Sequence, residues 1–322
     1  MEQGLTRVMW TVWALLVCAV APSAVHAGAG SKVCPGPALV FEALATDLWL
    51  IPAQGEVADA GNRGQVVNLL LARHGGRLWL LGSGPSPAFG RALACQAKQR
   101  WGLQLAEVAI PRARAELALG AAGMPAARVW ATAAVRGAMR LQCPVCVPRL
   151  RDHLGAAAAD LGAAPVRLPT QTLRGAQGLW GPFEWRQVRL GGSNVTTLWR
   201  HRGADVVAGF GVLWFGAPPD GRDTAIEQLA SATASLAADA APTTRFIGEQ
   251  GPVAGLDGVQ RQVAYWASML SLAAQGVARG DNAAAAPLPP IEQWAAHERH
   301  ALNWQRVWRQ AEDRFLGLPA GR

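Results

Sequence analysis

The sequence predicts an α+β fold, a four-layer αββα sandwich formed by a single domain. In each half of the chain, segments with strand patterns come first and segments with helical patterns follow. The strands occur in hairpins, so helices would cover one face of each sheet and leave the other faces free to pack together. Apolar residues (51%) are numerous enough for a large core, and charged residues (16%) are too few for a disordered chain.

The first half opens with strands. Apolar side chains alternate over 47–52, and 66–81 is typical of a hairpin with its turn at His74, Gly75 and Gly76. A helix is predicted over 86–102, opened by Ser86 and closed by Gly102. The remaining elements of this half are a strand at 105–110, a loop or short helix at 111–123, a strand at 128–133, and two helices separated by a break across 135–155.

The second half repeats this order. Strands are predicted at 183–192, 194–203 and 204–216, joined by glycine turns. Asp223 is the predicted cap of a helix that runs to residue 239. The later elements are a strand running into a loop at 244–253, a helix from Asp257 to Gly280, a linker at 281–290 and an amphipathic helix at 291–315.

The beginning of the chain has the pattern of a secretory signal peptide. Arg7 precedes an apolar run at 8–20, and Val25, His26 and Ala27 fit a small-x-small cleavage site. The run is shorter than the ~20 residues that a membrane-spanning helix needs. We therefore expect a periplasmic or secreted protein with no membrane span after cleavage. The predicted boundaries are a signal peptide at 1–27, an N-terminal segment at 28–43, a domain at 44–316 and a tail at 317–322.

The chain is basic, with 30 Lys and Arg against 22 Asp and Glu and a net charge of +8. Only Lys32 and Lys98 are lysines, and the arginines are scattered singly along the chain. A nucleic-acid-binding surface requires clustered basic residues. No nucleic-acid partner is therefore expected.

Four cysteines remain after the predicted cleavage, namely Cys34, Cys95, Cys143 and Cys146. In an oxidising compartment they can form two disulfides in three ways, of which Cys34–Cys95 with Cys143–Cys146 is favoured. The Cys143-Pro-Val-Cys146 motif has three interpretations. It can be a structural pair, a redox dithiol, or half of a zinc site with His153.

Four segments in this order resemble the metallo-beta-lactamase superfamily. They are VNLLLARHGGRLWLLGSGPSPAFGRAL (67–93), VAIPRARAELALGAAG (108–123), ADVVAGFGVLWFG (204–216) and FIGEQGPV (246–253). The last helix, HERHALNWQRVWRQAE (297–312), is also similar to the closing helix of several members. The resemblance covers residues 44–316 and implies the αββα sandwich of that family. It also implies a site at the sheet ends, where members bind one or two metal ions.

The resemblance places unsuitable residues at the metal-ligand positions. Only Glu116, at an Asp position, can bind a metal ion well, because arginine is cationic and leucine and phenylalanine offer no lone pair. We therefore expect a lost metal centre, no bound cofactor and no metal-dependent catalysis. The other positions fall on Gly82, Arg112, Arg114, Leu117, Phe210 and Gln250, and on Ser193 or Asn194 in a looser alignment.

Five residues would line the altered pocket: Arg112, Arg114, Glu116, Asn194 and Gln250. Two guanidinium groups beside an amide suit a carboxylate, phosphate or sulfate, so one hypothesis is a site for a small anionic ligand. The other is that Arg112 or Arg114 pairs with Glu116 and fills the pocket.

The predicted function is that of a non-catalytic binding or accessory protein. The chain is similar to periplasmic metallohydrolases associated with quinoprotein relay systems in its export signal, length and closing helix. This resemblance implies a periplasmic partner in a quinoprotein oxidation system. Two alternatives stay open, a metal-dependent hydrolase with an atypical ligand set and a dithiol redox protein that uses Cys143 and Cys146.

Overall fold

Two β-sheets lie at the centre of the computed structural model. It describes residues 33–283, 286, 288–291 and 294–318. The predicted signal peptide and the end of the predicted tail lie outside the described residues. From Cys34 onward the chain forms one compact unit.

The first sheet contains seven strands in chain order, β1 to β7. The pairs from β1 to β4 are antiparallel, and those from β4 to β7 are parallel. The sequence analysis did not find β1 or β7. The strands are β1 (Glu42–Ala45), β2 (Leu48–Ile51), β3 (Leu69–His74), β4 (Arg77–Leu81), β5 (Leu105–Ala109), β6 (Arg128–Thr132) and β7 (Gln171–Leu173).

The second sheet contains five strands in the order β12, β11, β10, β9, β8. All pairs are antiparallel except β11 with β12. The strand β8 was also missed. The strands are β8 (Gln177–Trp180), β9 (Phe183–Arg189), β10 (Val195–His201), β11 (Val206–Ala208) and β12 (Arg245–Ile247).

The helices form the outer layers. One core joins the two sheets with α1 and α3, and Phe183 and Trp199 of the second sheet belong to it. A second core joins the second sheet to α4, α5 and α6 around Trp266 and Trp304. This confirms the predicted four-layer sandwich. The helices are α1 (Pro87–Trp101), α2 (Ala115–Ala118), α3 (Ala133–Leu154), α4 (Ile226–Ala238), α5 (Leu256–Arg279) and α6 (Glu298–Phe315), with 3₁₀ segments at Leu119–Gly123 and Gly155–Leu161.

The local signals of the first half were accurate. Gly75 and Gly76 both have positive φ, as the tight turn of the β3–β4 hairpin requires. At the start of α1, the hydroxyl of Ser86 accepts a hydrogen bond from the backbone N–H of Phe89 at 3.1 Å. Gly102 ends the helix in the left-handed conformation.

The strand predicted over 204–216 is mostly wrong. Only Val206–Ala208 forms a strand, because the backbone turns back at Gly209. The N–H groups of Val212 and Leu213 both donate to the carbonyl of Gly209. The segment is apolar because its side chains are buried in the two cores, and burial alone does not specify a strand.

The break predicted within 135–155 is also wrong, because α3 continues through Pro144 and Pro148. Each proline removes one backbone hydrogen bond from the helix. Both prolines are exposed on the outer side, while Met139 and Cys143 are buried on the inner side. Packing of the inner face therefore keeps the helix continuous.

Two helix starts differ from the prediction. Asp223 does not cap α4, which begins at Ile226 after Ala225, a residue without a capping side chain. The first N–H of α4 donates instead to the side-chain oxygen of Gln310 on α6, at 2.8 Å. The last helix begins at Glu298 and not at residue 291.

One of the two favoured disulfides is present. Cys34 and Cys95 are joined, which ties the N-terminal segment to α1. Cys143 and Cys146 are free thiols, so the predicted second bridge is not formed. They are three residues apart on α3, where Cβ atoms lie about 5–6 Å apart, whereas a disulfide needs about 3.5–4.5 Å. Among the described helices, none is long and apolar enough to cross a membrane.

Candidate functional site

Three loops meet at one edge of the two sheets. One follows β5 and carries Arg112 and Arg114 into α2. Arg112 forms an isolated bridge with Thr196 of β10, which connects this loop to the second sheet. The other two loops follow β11 and β12, which are parallel neighbours. Loops at the carboxyl ends of parallel strands leave the sheet at the same edge, so they come together here.

Glu249, in the loop after β12, is the centre of this site. Its carboxylate is fully buried and accepts a hydrogen bond from Nη1 of Arg112 at 3.2 Å and another from Nη1 of Arg114. Arg114 also donates from Nε to the carboxylate of Glu116 at 3.1 Å. These four residues, which we call the arginine–glutamate network, contain two positive and two negative charges. Arg112 and Arg114 are each only 16% exposed.

The opposite charges of Arg114 and its glutamate partners stabilise the ionised form of each group. Burial alone would lower the pKa of Arg114, but the nearby carboxylates of Glu116 and Glu249 raise it above its ordinary value. Burial alone would raise the pKa of Glu116, but Arg114 holds it below its ordinary value. Arg114 and Glu116 therefore stay charged at neutral pH, and each of these two buried charges has a partner.

The loop that carries Glu249 is fixed by backbone and amide hydrogen bonds. The N–H of Glu249 donates to the carbonyl of Leu213 at 2.7 Å, and its carbonyl accepts from the N–H of Asn68 at 2.8 Å. The side chain of Asn68 donates to the carbonyls of Gly248 and Gly251. These bonds fix the backbone from which the buried carboxylate extends.

Gly211 makes room for Arg112. A Cβ atom at this glycine would lie 2.6 Å from Nη1 and 3.0 Å from Cδ of Arg112, and the glycine φ of 76° also disfavours a side chain. The preceding residue, Phe210, is fully buried, and its carbonyl accepts from the hydroxyl of Thr196 at 2.6 Å.

Gln250 and Asn194 have other partners. The amide of Gln250 donates to the carbonyls of Val66 and Glu56, so it holds the loop that precedes β3. Asn194 lies in the β9–β10 turn and donates to the carbonyl of Asp223 at 3.1 Å. Of the five predicted pocket residues, the structure therefore brings Arg112, Arg114 and Glu116 into one network. Gln250 follows Glu249 directly, and Asn194 stabilises a different loop.

Further charged residues surround the network. Asp220 pairs with Arg222 at 2.7 Å, and these hydrogen bonds hold the pKa of Asp220 below its ordinary value although burial would raise it. On α6, Arg299 donates to Gln250 and to Glu56, and burial lowers the pKa of Arg299. The sequence analysis found neither Glu249 nor these residues. The partners of Glu249 and Arg299 are distant in the chain.

Solved structures share this architecture. A metallo-beta-lactamase from Hirschia baltica superposes with a TM-score of 0.56 at 13% identity, over 71% of this chain and 98% of that chain. The DIM-1 metallo-beta-lactamase superposes with a TM-score of 0.56 at 11% identity, over 71% of this chain and 96% of that chain. TMB-1 superposes with a TM-score of 0.54 at 11% identity, over the same shares of the two chains as DIM-1. The chain has the metallo-beta-lactamase fold. No protein-family model and no curated protein sequence matches it.

The resemblance assigns the metal-ligand positions of the family to residues whose side chains the structure describes. The positions implied by the resemblance carry two guanidinium groups, and Leu117 and Phe210 are buried hydrocarbon side chains. The guanidinium groups occupy the centre of the site and neutralise the carboxylates that could otherwise bind a cation. Among the described residues, no three His, Cys, Asp or Glu side chains are grouped as metal ligands would be.

Proposed function

We propose that this chain is an exported, non-catalytic protein of the metallo-beta-lactamase fold that binds a small anion at Arg112. A single observation carries the proposal. Arg112 and Arg114, which the resemblance assigns to metal-ligand positions, share one buried carboxylate at the centre of the site. Such a site offers cationic hydrogen-bond donors and no nucleophile activated by a metal ion.

Arg112 is the contact we favour for the ligand. It uses only Nη1 for Glu249, so its Nε and Nη2 donors have no partner among the residues that the structure describes. These two donors form a planar fork that matches the oxygens of a carboxylate or a phosphate. Arg114 is less suitable, because Glu116 and Glu249 use its Nε and both terminal nitrogens.

Export is part of the same proposal. The signal-peptide pattern predicts it, and the Cys34–Cys95 bridge supports an oxidising compartment. We further propose a periplasmic protein partner in a quinoprotein oxidation system. The support for that partner is the resemblance in export signal, length and closing helix.

Anion binding is tested with the full chain, exported to a bacterial periplasm and purified without chelator or metal resin. We expect acetate, citrate, sulfate or phosphate to raise the melting temperature. Arg112→Ala should abolish this shift, whereas Arg261→Ala, which removes an exposed arginine paired with Asp257, should leave it unchanged. Unchanged melting temperatures across the panel would overturn the proposal.

The metal content of the same preparation tests the non-catalytic part. We expect no stoichiometric zinc or iron. About one zinc or iron ion per chain would contradict our view of the site and favour a hydrolase with an atypical ligand set.

A further inference from the structure

A cavity of about 480 Å³ lies on the outer face of the second sheet, beside the last turn of α4. Its lining comes from β8, β9, β10, β11 and the end of α4, and none of the lining residues belongs to the arginine–glutamate network. Cavities that hold small molecules usually measure about 300–1,000 Å³ and combine an apolar lining with a few polar groups. This cavity therefore has the size of a ligand site, and its side chains determine which ligand it suits.

One row of side chains crosses the cavity from strand to strand. The strand pairing sets Leu179 of β8 opposite Glu184 of β9. It also sets Glu184 opposite Arg200 of β10, and Arg200 opposite Val207 of β11. Residues that are directly opposite in antiparallel strands point to the same face of the sheet, and their Cβ atoms lie about 4.5–5.5 Å apart. An acidic and a basic side chain are therefore neighbours here, with an apolar side chain on either side of them.

Further apolar side chains line the cavity around this row. Leu198 precedes Arg200 by two residues and so lies on the same face of β10. Leu198 and Leu236 belong to the second core and are 3% and 5% exposed, whereas Leu179 is 63% exposed. A ligand with a hydrocarbon body would cover Leu179, and the removal of this apolar surface from water would favour binding.

Four charged side chains line the cavity, and two of them neutralise each other. Nη1 of Arg186 lies 3.0 Å from the carboxylate of Asp239, and Nη2 of Arg186 donates to the hydroxyl of Ser235 at 3.3 Å. Both partners belong to the end of α4, so these contacts fix Arg186 against the helix. The pair forms a wall of the cavity and adds no net charge to it.

The other two charged side chains, Glu184 and Arg200, keep unused hydrogen-bonding groups. Although they are direct neighbours, Arg200 pairs with Asp205, to which it donates from Nη2. Among the described residues, none donates to the carboxylate of Glu184 and none accepts from Nε or Nη1 of Arg200. The cavity therefore presents one carboxylate and one guanidinium group side by side, next to apolar side chains.

We propose that this cavity binds an α-amino acid with a large apolar side chain, such as free leucine or phenylalanine. The ammonium group of the ligand would donate to Glu184, and its carboxylate would accept from Nε and Nη1 of Arg200. Both charged groups of an α-amino acid are attached to one carbon atom, so they match two partners on neighbouring strands. A purely anionic ligand would lie beside Glu184, and a purely cationic one beside Arg200, where like charges repel.

The test is titration calorimetry with the full chain, purified as for the anion experiment. We expect leucine and phenylalanine to bind once per chain, and alanine, which lacks the large side chain, to bind at least about tenfold more weakly. Glu184→Gln and Arg200→Gln should each weaken leucine binding at least about tenfold, since each removes a charged partner. The matched control is Glu42→Gln, at an exposed glutamate of β1 in the other sheet, which should bind leucine as the wild type does.

Two analogues separate the roles of the two charges. Leucinamide keeps the ammonium group without the carboxylate, and 4-methylpentanoate keeps the carboxylate without the ammonium group. Both are titrated into Arg112→Ala, so that anion binding at Arg112 does not contribute. Both should bind at least about tenfold more weakly than leucine, because each lacks one charged hydrogen bond. Leucine itself should bind Arg112→Ala and the wild type equally.

Four results would overturn the amino-acid site. They are no leucine binding by the wild type, unchanged binding by both Glu184→Gln and Arg200→Gln, equal binding of leucine and leucinamide, and loss of leucine binding in Arg112→Ala. Both substituted side chains are at least partly exposed, so the variants should fold, and their melting temperatures verify this. The analogue titrations do not depend on the cavity variants. A failure of anion binding at Arg112 would leave this site unaffected.

Discussion

Glu249→Gln is the substitution that tests the arginine–glutamate network most directly. It keeps the size of the side chain and one of its two oxygen acceptors, but it removes the negative charge shared by Arg112 and Arg114. The network would change from two positive and two negative charges to a net charge of +1. Since Glu249 is fully buried, water cannot replace the lost charge.

The expected loss is large. Removing one partner of a buried ion pair typically costs about 3–5 kcal/mol, because a buried charge is left without compensation. The glutamine oxygen still accepts one hydrogen bond, and Glu116 still neutralises Arg114. We therefore expect a loss at the lower end of this range, about 3 kcal/mol in the free energy of unfolding.

Urea unfolding of wild type and variant at neutral pH measures this loss. The matched control is Glu56→Gln, which removes a carboxylate that also pairs with an arginine, Arg299, but is 44% exposed. The control should lose less than about 1 kcal/mol, because solvent screens exposed pairs. Phosphate should stabilise Glu249→Gln more than wild type, since an anion can replace the missing charge beside Arg112.

The result that refutes the reasoning is equal stability of the two variants. A loss of less than about 1 kcal/mol for Glu249→Gln would mean that the buried charge is not needed to hold the arginines. An unchanged phosphate response would separately show that the freed guanidinium groups are closed to ligands.

Three further predictions follow from the structure. Gly211→Ala should lower stability by about 1–3 kcal/mol, because alanine is strained at positive φ and its methyl group collides with Arg112. The collision should displace the Arg112 side chain, which would also reduce the anion-induced thermal shift. Replacing Cys34 and Cys95 by serine should lower stability by about 4 kcal/mol in urea unfolding, since the bridge spans a sequence separation of 61 residues, and an unchanged midpoint would contradict a formed bridge. The pKa of Glu116 is lower in the folded chain than its ordinary 4.5, so the unfolded chain binds the proton more readily. Stability should therefore fall as the pH drops below about 4.5. Glu116→Gln should make this pH dependence of stability less steep, and an equal slope in urea unfolding would exclude a contribution from Glu116.

The sequence predicted the elements whose signals are local. Alternating apolar side chains, two successive glycines and a serine at a helix start are each read within a few residues. They correctly located the β3–β4 hairpin, α1 and β5. The four-layer arrangement followed from the order of strands and helices, and the Cys34–Cys95 bridge is also present.

The errors arise where distant contacts decide the local structure. The start of α4 is set by Gln310, more than eighty residues further along the chain, and not by Asp223. The continuity of α3 depends on packing of its inner face. Glu249 was overlooked because its partners Arg112 and Arg114 are more than 130 residues away. An isolated glutamate at a strand end carries no local sign that it will be buried.

The position of Glu249 explains what the network contributes to the fold. Arg112 and Arg114 come from the half of the chain that builds the first sheet, and Glu249 comes from the half that builds the second. In metal-binding proteins, one ion can hold together ligands from separate loops, and its binding energy stabilises the fold. Here a buried carboxylate connects the loop before α2 to the loop after β12 through two charged hydrogen bonds. Because these bonds are directional and their groups are buried, they can fix the two loops relative to each other without a metal ion. Among the described residues none accepts a hydrogen bond from Nε or Nη2 of Arg112, so the anion proposed above would bind at a residue that also stabilises this junction.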